Sequence, residues 1–322
     1  MKVFITGASG AMGHFLARYI SENISRVEIF GLGRTRLSKN TELYIKKYHR
    51  CDLHWELKTQ LAETISSADP EIVFHLAGVA DVGKSFREPD YFVVNNISGT
   101  VNLFESIAAS RKKPVVVICS TSEVYGNIKS LHPVDESWPM SPCNPYAVTK
   151  VTQEYLAGYY NQCYGIPYVI TRAFGYINPL RQDLVATSIA RQIVSFENGE
   201  TDLIRHGNLG VIRTFCDARD IAEAYWLAAM KGKSGEAYNI GTDKSIQIGD
   251  LLVRLCAKEK YSERLFKAVD RLQEDKSLCR PTDVTHSVPN ITKFKQATNW
   301  QPKRSLDESL DWLMSYIRGE QE

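Results

Sequence analysis

Between Ser120 and Lys150 the chain concentrates groups capable of moving protons. The stretch opens as Ser120-Thr121-Ser122-Glu123-Val124-Tyr125-Gly126, continues as a polar loop, and ends in Asn144-Pro145-Tyr146-Ala147-Val148-Thr149-Lys150. Tyr146 and Lys150 stand four apart on a predicted helix, so they share one face. An ammonium beside a phenol favours the phenolate and lowers the phenol's pKa. The pair is therefore expected to bring Tyr146 toward acid–base chemistry near neutral pH. Thr121, Ser122 and Glu123 supply two hydroxyls and a carboxylate ahead of the loop.

The elements around this stretch must hold it. Val115-Val116-Val117-Ile118-Cys119 is apolar and largely β-branched, which suits a strand covered on both faces. The polar groups then emerge at the strand's carboxyl end, where open α/β sheets bind ligands. At the start of the chain, Val3-Phe4-Ile5 leads into Thr6-Gly7-Ala8-Ser9-Gly10-Ala11-Met12-Gly13. A predicted helix follows from His14 to Ser21, with apolar residues at Phe15, Leu16, Tyr19 and Ile20. Strand, glycine turn and helix amino terminus together form a cradle for phosphate.

The second strand, Val27 to Gly33, is followed by Arg34 and Arg36 rather than by a carboxylate for a ribose 2′-hydroxyl. Guanidinium groups pair well with a 2′-phosphate, which favours NADP(H) over NAD(H). A further strand from Glu71 ends in Leu76-Ala77-Gly78, small enough for a flat cofactor to approach the backbone. His75 within it reads as a structural strand-end residue. Asn95-Asn96 and the residues to Thr100 open an amphipathic helix. Toward the carboxyl terminus, Pro167–Phe174 reads as a buried strand, Leu184–Phe196 as an amphipathic helix, and Leu306–Ile317 as the closing helix.

The 322 residues are 43% hydrophobic, enough for one large or two small domains. A formal net charge of +2 is too balanced for a nucleic-acid footprint. The seven cysteines, at 51, 119, 143, 163, 216, 256 and 279, form no close pair, so neither a metal cluster nor a disulfide framework is expected. The chain carries no signal-like segment and no long apolar run. The expectation is a reduced, cytoplasmic protein without metal or membrane partner.

The Gly7-x-x-Gly10-x-x-Gly13 spacing resembles the short-chain dehydrogenase/reductase superfamily. With Ser120–Gly126 and the Tyr146/Lys150 pair in the expected order, nearly the whole chain resembles the extended members that act on nucleotide-linked sugars. It is most similar to GDP-mannose 4,6-dehydratases and GDP-4-keto-6-deoxymannose reductases. That resemblance implies an α/β fold: a Rossmann-type doubly wound parallel sheet carrying the catalytic residues over 1–172, and a smaller C-terminal α/β substrate-binding domain over 173–322, with some chain returning to the sheet.

The resemblance also implies roles. Thr121 would hydrogen-bond the C4 oxygen, Tyr146 would exchange its proton, Lys150 would hold the nicotinamide ribose, and Glu123 would be a C5 base. The cofactor would lie on Gly7, Ser9, Gly10, Ala11, Met12, Gly13, Arg34, Arg36, Leu53, Leu76, Ala77 and Gly78. Asp52 would cap its adenine amino group, and Asn96 would steady the active-site backbone. Ser85, Ser122, Gly175, Asn178, Arg213 and Arg280 would face the substrate, with Arg213 and Arg280 on phosphate or ribose. Arg280-Pro281-Thr282-Asp283-Val284 points to a GDP-linked sugar. Gly175 stands where the resembled enzymes carry an Asn that touches the diphosphate, and Thr214 replaces a customary acid. A reductase and a 4,6-dehydratase both remain open, the reductase favoured; an epimerase and a non-catalytic cofactor-binding protein are further alternatives. Such proteins often form homodimers or higher homo-oligomers, with the Tyr146 helix contributing.

Overall fold

A computed structural model describes residues 1–53, 58–128, 132–258, 271–279, 281–282 and 284–320. Seven strands form one sheet: β1 (Lys2–Thr6), β2 (Glu28–Gly33), β3 (Lys47–Arg50), β4 (Ile72–His75), β5 (Val115–Thr121), β6 (Tyr168–Ala173) and β7 (Ala237–Ile240), in the order β7-β6-β5-β4-β1-β2-β3. Every neighbouring pair is parallel. Parallel strands need crossovers that cover both faces, and the residues comply. Val3, Ile5, Phe74, Val117 and Cys119 face one apolar layer, and Phe4, Val73, Val116 and Ile118 face the other. Helices Ala11–Asn23 and Ala218–Lys231 close the first layer. Lys58–Ala68, Gly99–Ala109 and Pro145–Tyr164 close the second.

Register aligns the carboxyl ends. Thr6 lies opposite both Leu32 and His75, and Thr121 lies opposite Ala173. The strand order reverses between β1 and β4, so the crevice of a doubly wound sheet opens there. The expected parallel α/β architecture is present.

The C-terminal residues add three two-stranded sheets: Tyr176–Ile177 with Cys216–Asp217, Ile212–Thr214 with Ser245–Gln247, and Ile204–His206 with Leu272–Glu274. They do not pack as a separate unit. Helix Ala218–Lys231 and strand β7 return to the main sheet. One apolar cluster also joins Val3 and Leu16 to Ala186, Ile189, Leu251 and Leu310. Among the described residues, no helix is long and apolar enough to cross a membrane.

Candidate active site

A cleft of about 640 Å³ opens at the carboxyl ends of β1, β4, β5 and β6. The glycine turn forms one wall, and Gly7 and Gly13 are required for different reasons. Gly7 has φ +73°, and a Cβ there would sit 2.8 Å from the Ala77 nitrogen. A Cβ on Gly13 would lie 2.5 Å from the Gly7 carbonyl oxygen. Gly10 caps helix Ala11–Asn23 without a side-chain hydrogen bond, so the first helical N–H groups stay open toward the cleft. Ala11 and Met12 line the same wall. This cradle fits the phosphates of a dinucleotide.

Beyond the glycines, Gly33 approaches so closely that a Cβ would stand 2.5 Å from the Ser9 hydroxyl oxygen. The Thr35 hydroxyl donates to Ser9 Oγ at 3.0 Å. Arg34 and Arg36 are both exposed at this strand end. Arg34 Nη1 donates to Tyr91 Oη at 2.7 Å and to Asn95 Oδ1 at 3.1 Å. Asp52 and Leu53 follow β3 at the same edge, where Asn102 donates to the Leu53 carbonyl at 3.0 Å.

The opposite wall carries the proton-transfer groups. β5 ends at Thr121, and Ser122, Glu123 and Val124 turn away in a short 3₁₀ segment. Helix Pro145–Tyr164 begins beside it, with Asn144 as its cap and Pro145 in the first turn. Asn144 Oδ1 accepts from the Ala147 N–H at 2.8 Å, while its Nδ2 donates to Glu123 Oε2 at 2.8 Å. One amide therefore fixes both the helix and the carboxylate. Thr121, Ser122, Glu123, Tyr146 and Lys150 all line the cleft.

Asn96 belongs to a π-helical turn, Val93–Ser98, rather than to a helix cap. Its side chain accepts from the Val79 N–H at 2.8 Å and donates to the Val79 carbonyl and to Thr149 Oγ1. It thereby ties the loop after β4 to the Tyr146 helix. Gly78 in that loop has φ +150°, and a Cβ there would meet Asn96 Oδ1 at 2.8 Å. Leu76 and Gly78 line the cleft; the neighbouring Ala77 N–H donates to Thr6 Oγ1. His75 stays outside it, between Thr6 and Thr100, and burial pushes its pKa down to about 3.

The electrostatics correct one expectation. Lys150 does not bring the Tyr146 pKa below that of an ordinary phenol. Burial dominates and raises it, and the opposing charge of greatest effect is Arg181; Tyr176 and Glu123 raise it further, while the Thr121 hydroxyl lowers it. Lys150 Nζ donates to the Cys119 carbonyl at 2.8 Å and lies 5.9 Å from the Tyr146 ring centre. Burial also pushes the Lys150 pKa down to about 8, against the Cys119 and Glu154 charges that raise it. A phenol shut away from water holds its proton unless a cation reaches its oxygen.

Further corrections concern the substrate side. Ser85 is fully buried, lies outside the cleft lining, and donates its hydroxyl to the Val82 carbonyl. Asn178 is also fully buried and lies outside the lining: it donates to Met12 Sδ and accepts from the Leu180 N–H. Gly175 does line the cleft, and a Cβ there would stand 2.3 Å from the Thr214 carbonyl oxygen. Backbone thus fills the space an Asn would need. Arg213 lines the cleft with its guanidinium donating to the Ile212 and Val284 carbonyls. Arg280 and Asp283 lie outside the described residues.

Three residues missed in the sequence also line the cleft: Arg181, Tyr176 and Tyr225. Arg181 pairs with Asp183 and donates to the Ala80 carbonyl at 3.4 Å. Its signal was the proline-opened turn Asn178-Pro179-Leu180-Arg181-Gln182-Asp183, where a cation and an anion stand two apart. Tyr225 is buried while also facing the cleft.

Comparison with known proteins follows the same lines. The model of the GDP-mannose 4,6 dehydratase family matches residues 4–312. The chain is 26% identical to the GDP-6-deoxy-D-mannose reductase of Pseudomonas aeruginosa, covering 98% of this chain and 96% of that protein. It is 25% identical to the GDP-mannose 4,6-dehydratase of Yersinia enterocolitica, covering 95% and 91%. The solved structure of RMD from Pseudomonas aeruginosa complexed with NADPH matches with a TM-score of 0.82 at 25% identity over 99% of both chains.

Proposed function

The chain belongs to the GDP-mannose 4,6 dehydratase family, and from that premise we propose that it is an NADP(H)-dependent reductase of the C4 keto group of a GDP-4-keto-6-deoxyhexose. The observation that carries the reductase reading is the placement of Tyr146, buried in the cleft wall with Thr121, where burial raises the pKa of its phenol. Reduction of a ketone needs an acid at rest, whereas a reaction that begins by oxidising a C4 hydroxyl needs a base. NADPH, when bound, supplies the hydride.

The chain's own groups do the rest. Thr121 hydrogen-bonds the C4 oxygen, and Tyr146 delivers its proton to that oxygen as charge develops. Lys150 holds the nicotinamide ribose and Arg181 adds positive charge opposite the resulting phenolate. The open N–H groups after Gly10 receive the pyrophosphate, and Arg34 and Arg36 receive the 2′-phosphate. Asp52 and Leu53 face the adenine. Ser122 and Arg213 face the GDP-sugar. Two copies associate through the outer face of helix Pro145–Tyr164.

A second reading, a 4,6-dehydratase retaining NADP, is favoured by one observation: Glu123 lines the cleft with its carboxylate held by Asn144. That carboxylate would remove the C5 proton. One assay separates the two. Purified protein given the GDP-4-keto-6-deoxyhexose should oxidise NADPH, and GDP-mannose without reductant should yield no 4-keto product. Formation of that product overturns the reductase reading. Tyr146→Phe should lower turnover by roughly 10²- to 10⁴-fold while NADPH still binds; undiminished turnover rules out Tyr146 as the acid.

A further inference from the structure

Arg34 is a charged side chain at an exposed strand end, yet it is held in one place. Its Nη1 donates to the Tyr91 hydroxyl at 2.7 Å and to Asn95 Oδ1 at 3.1 Å. These two partners are 57 and 61 residues away in the chain. Asn95 is itself fixed, because its Nδ2 donates to the Tyr91 carbonyl at 2.8 Å. The Arg34 carbonyl accepts from Arg50 Nε at 3.2 Å, so the backbone is tethered as well. Lys84 Nζ sits 4.7 Å from the Tyr91 ring centre and the Arg34 guanidinium carbon 5.9 Å from it.

The count of donors decides what this arrangement does. A guanidinium has five N–H groups, two of them on Nη1. Tyr91 and Asn95 take the Nη1 pair. The Nε–Nη2 edge, the fork that meets phosphate oxygens two at a time, makes no hydrogen bond within the described residues. Arg34 follows directly on Gly33, the residue that packs against Ser9 of the glycine turn. Among the described residues, Arg36, two residues on, has no such anchors.

We propose that Tyr91 and Asn95 are positioning residues for cofactor choice: they pin the Arg34 guanidinium by one end and present its free fork to the 2′-phosphate of the adenosine ribose. This rests on the NADP(H) reading above and extends it to residues that do not touch the cofactor. A surface arginine ordinarily loses rotamer freedom when it binds an anion. Here that loss is already taken in the unliganded fold, so discrimination comes from preorganisation as well as from charge. The same segment explains the pairing of functions. Asn95 and Asn96 are neighbours in the π-helical turn Val93–Ser98; one side chain reaches Arg34 and the other grips the Val79 loop.

The test measures binding, not turnover, by calorimetry with 2′,5′-ADP and with ADP. Wild-type protein should bind 2′,5′-ADP the more tightly. Tyr91→Phe, which keeps the ring and removes the acceptor, should weaken 2′,5′-ADP roughly fivefold and leave ADP unchanged. Asn95→Ala should act in the same direction. In an Arg34→Ala background, Tyr91→Phe should have no further effect, since its route is gone. Unchanged 2′,5′-ADP affinity in Tyr91→Phe overturns the inference, as does equal weakening of both ligands or a full additional loss on top of Arg34→Ala. If wild-type protein itself binds the two ligands equally, the NADP(H) reading falls and takes the inference with it.

Discussion

Asn144 shows how much of the site depends on single amides. Its oxygen caps the helix that carries Tyr146, and its nitrogen holds the Glu123 carboxylate. The two duties separate by substitution. Asn144→Ser keeps a capping oxygen, Asn144→Ala keeps none, and neither can donate to Glu123 as the amide does. The serine variant should therefore be more stable than the alanine variant by about 1 kcal/mol in urea unfolding, and in the 4,6-dehydratase reading, where Glu123 removes the C5 proton, both should lose turnover to a similar degree. Full turnover in the serine variant would show that the position of Glu123 is immaterial. The cap was readable, because Asn followed by Pro marks a helix start. The partner was not: Glu123 lies 21 residues earlier across a polar loop, and no local pattern reports a contact of that kind. The same limit explains the error over Tyr146. Helical spacing correctly put Lys150 on its face, but only the fold shows that Lys150 donates to the Cys119 carbonyl and that burial sets the direction of the Tyr146 shift.

At the scale of elements, a buried polar chain fastens the strand ends to the helices behind them. His75 at the end of β4 joins Thr6 of β1 through Nδ1 and Thr100 of helix Gly99–Ala109 through Nε2. Gln153 of the Tyr146 helix donates to Thr100 Oγ1 at 2.6 Å. Burial first, then the Lys150 charge, pushes the His75 pKa from 6.5 to about 3. Between those values the unfolded chain takes up a proton that the folded one refuses, so stability falls as pH falls through that window and is unaffected above it. The unfolding free energy of the wild type should drop by about 2 kcal/mol more than that of His75→Gln between pH 6.5 and about 4.5; parallel pH profiles would remove His75 from the account. The strands, the glycine turn and the closing helix were legible because apolar runs, φ-demanding glycines and helical period are local signals. Arg181 and Tyr91 were not, because each matters through contacts with distant segments: Ala80 for the first, Arg34 for the second.

At the scale of the whole molecule, the chain beyond residue 172 stays tied to the sheet. As expected of chain returning to the sheet, β7 and helix Ala218–Lys231 pack with it, and one apolar cluster spans both halves. The cleft is therefore walled by elements that cannot move independently without opening that cluster. The helix Pro145–Tyr164 carries this constraint outward. Its inner face buries Tyr146, Lys150, Gln153, Ala157 and Tyr160. Its outer face leaves Val148 47%, Tyr155 67%, Tyr159 50% and Tyr164 43% exposed. Positions 148, 155 and 159 recur at helical spacing, so these apolar groups form a stripe rather than scattered contacts. A second copy related by a two-fold axis would lay the same stripe against itself. Wild-type protein should then sediment as a dimer with a concentration-dependent melting temperature, whereas Tyr155→Glu with Tyr159→Glu should sediment as a monomer with a lower one. Because those rings stand on the opposite side of the helix from the cleft, the monomer should still bind NADPH. A wild-type monomer across the accessible concentration range would leave the stripe without a second copy to cover it and would remove this interface from the proposal.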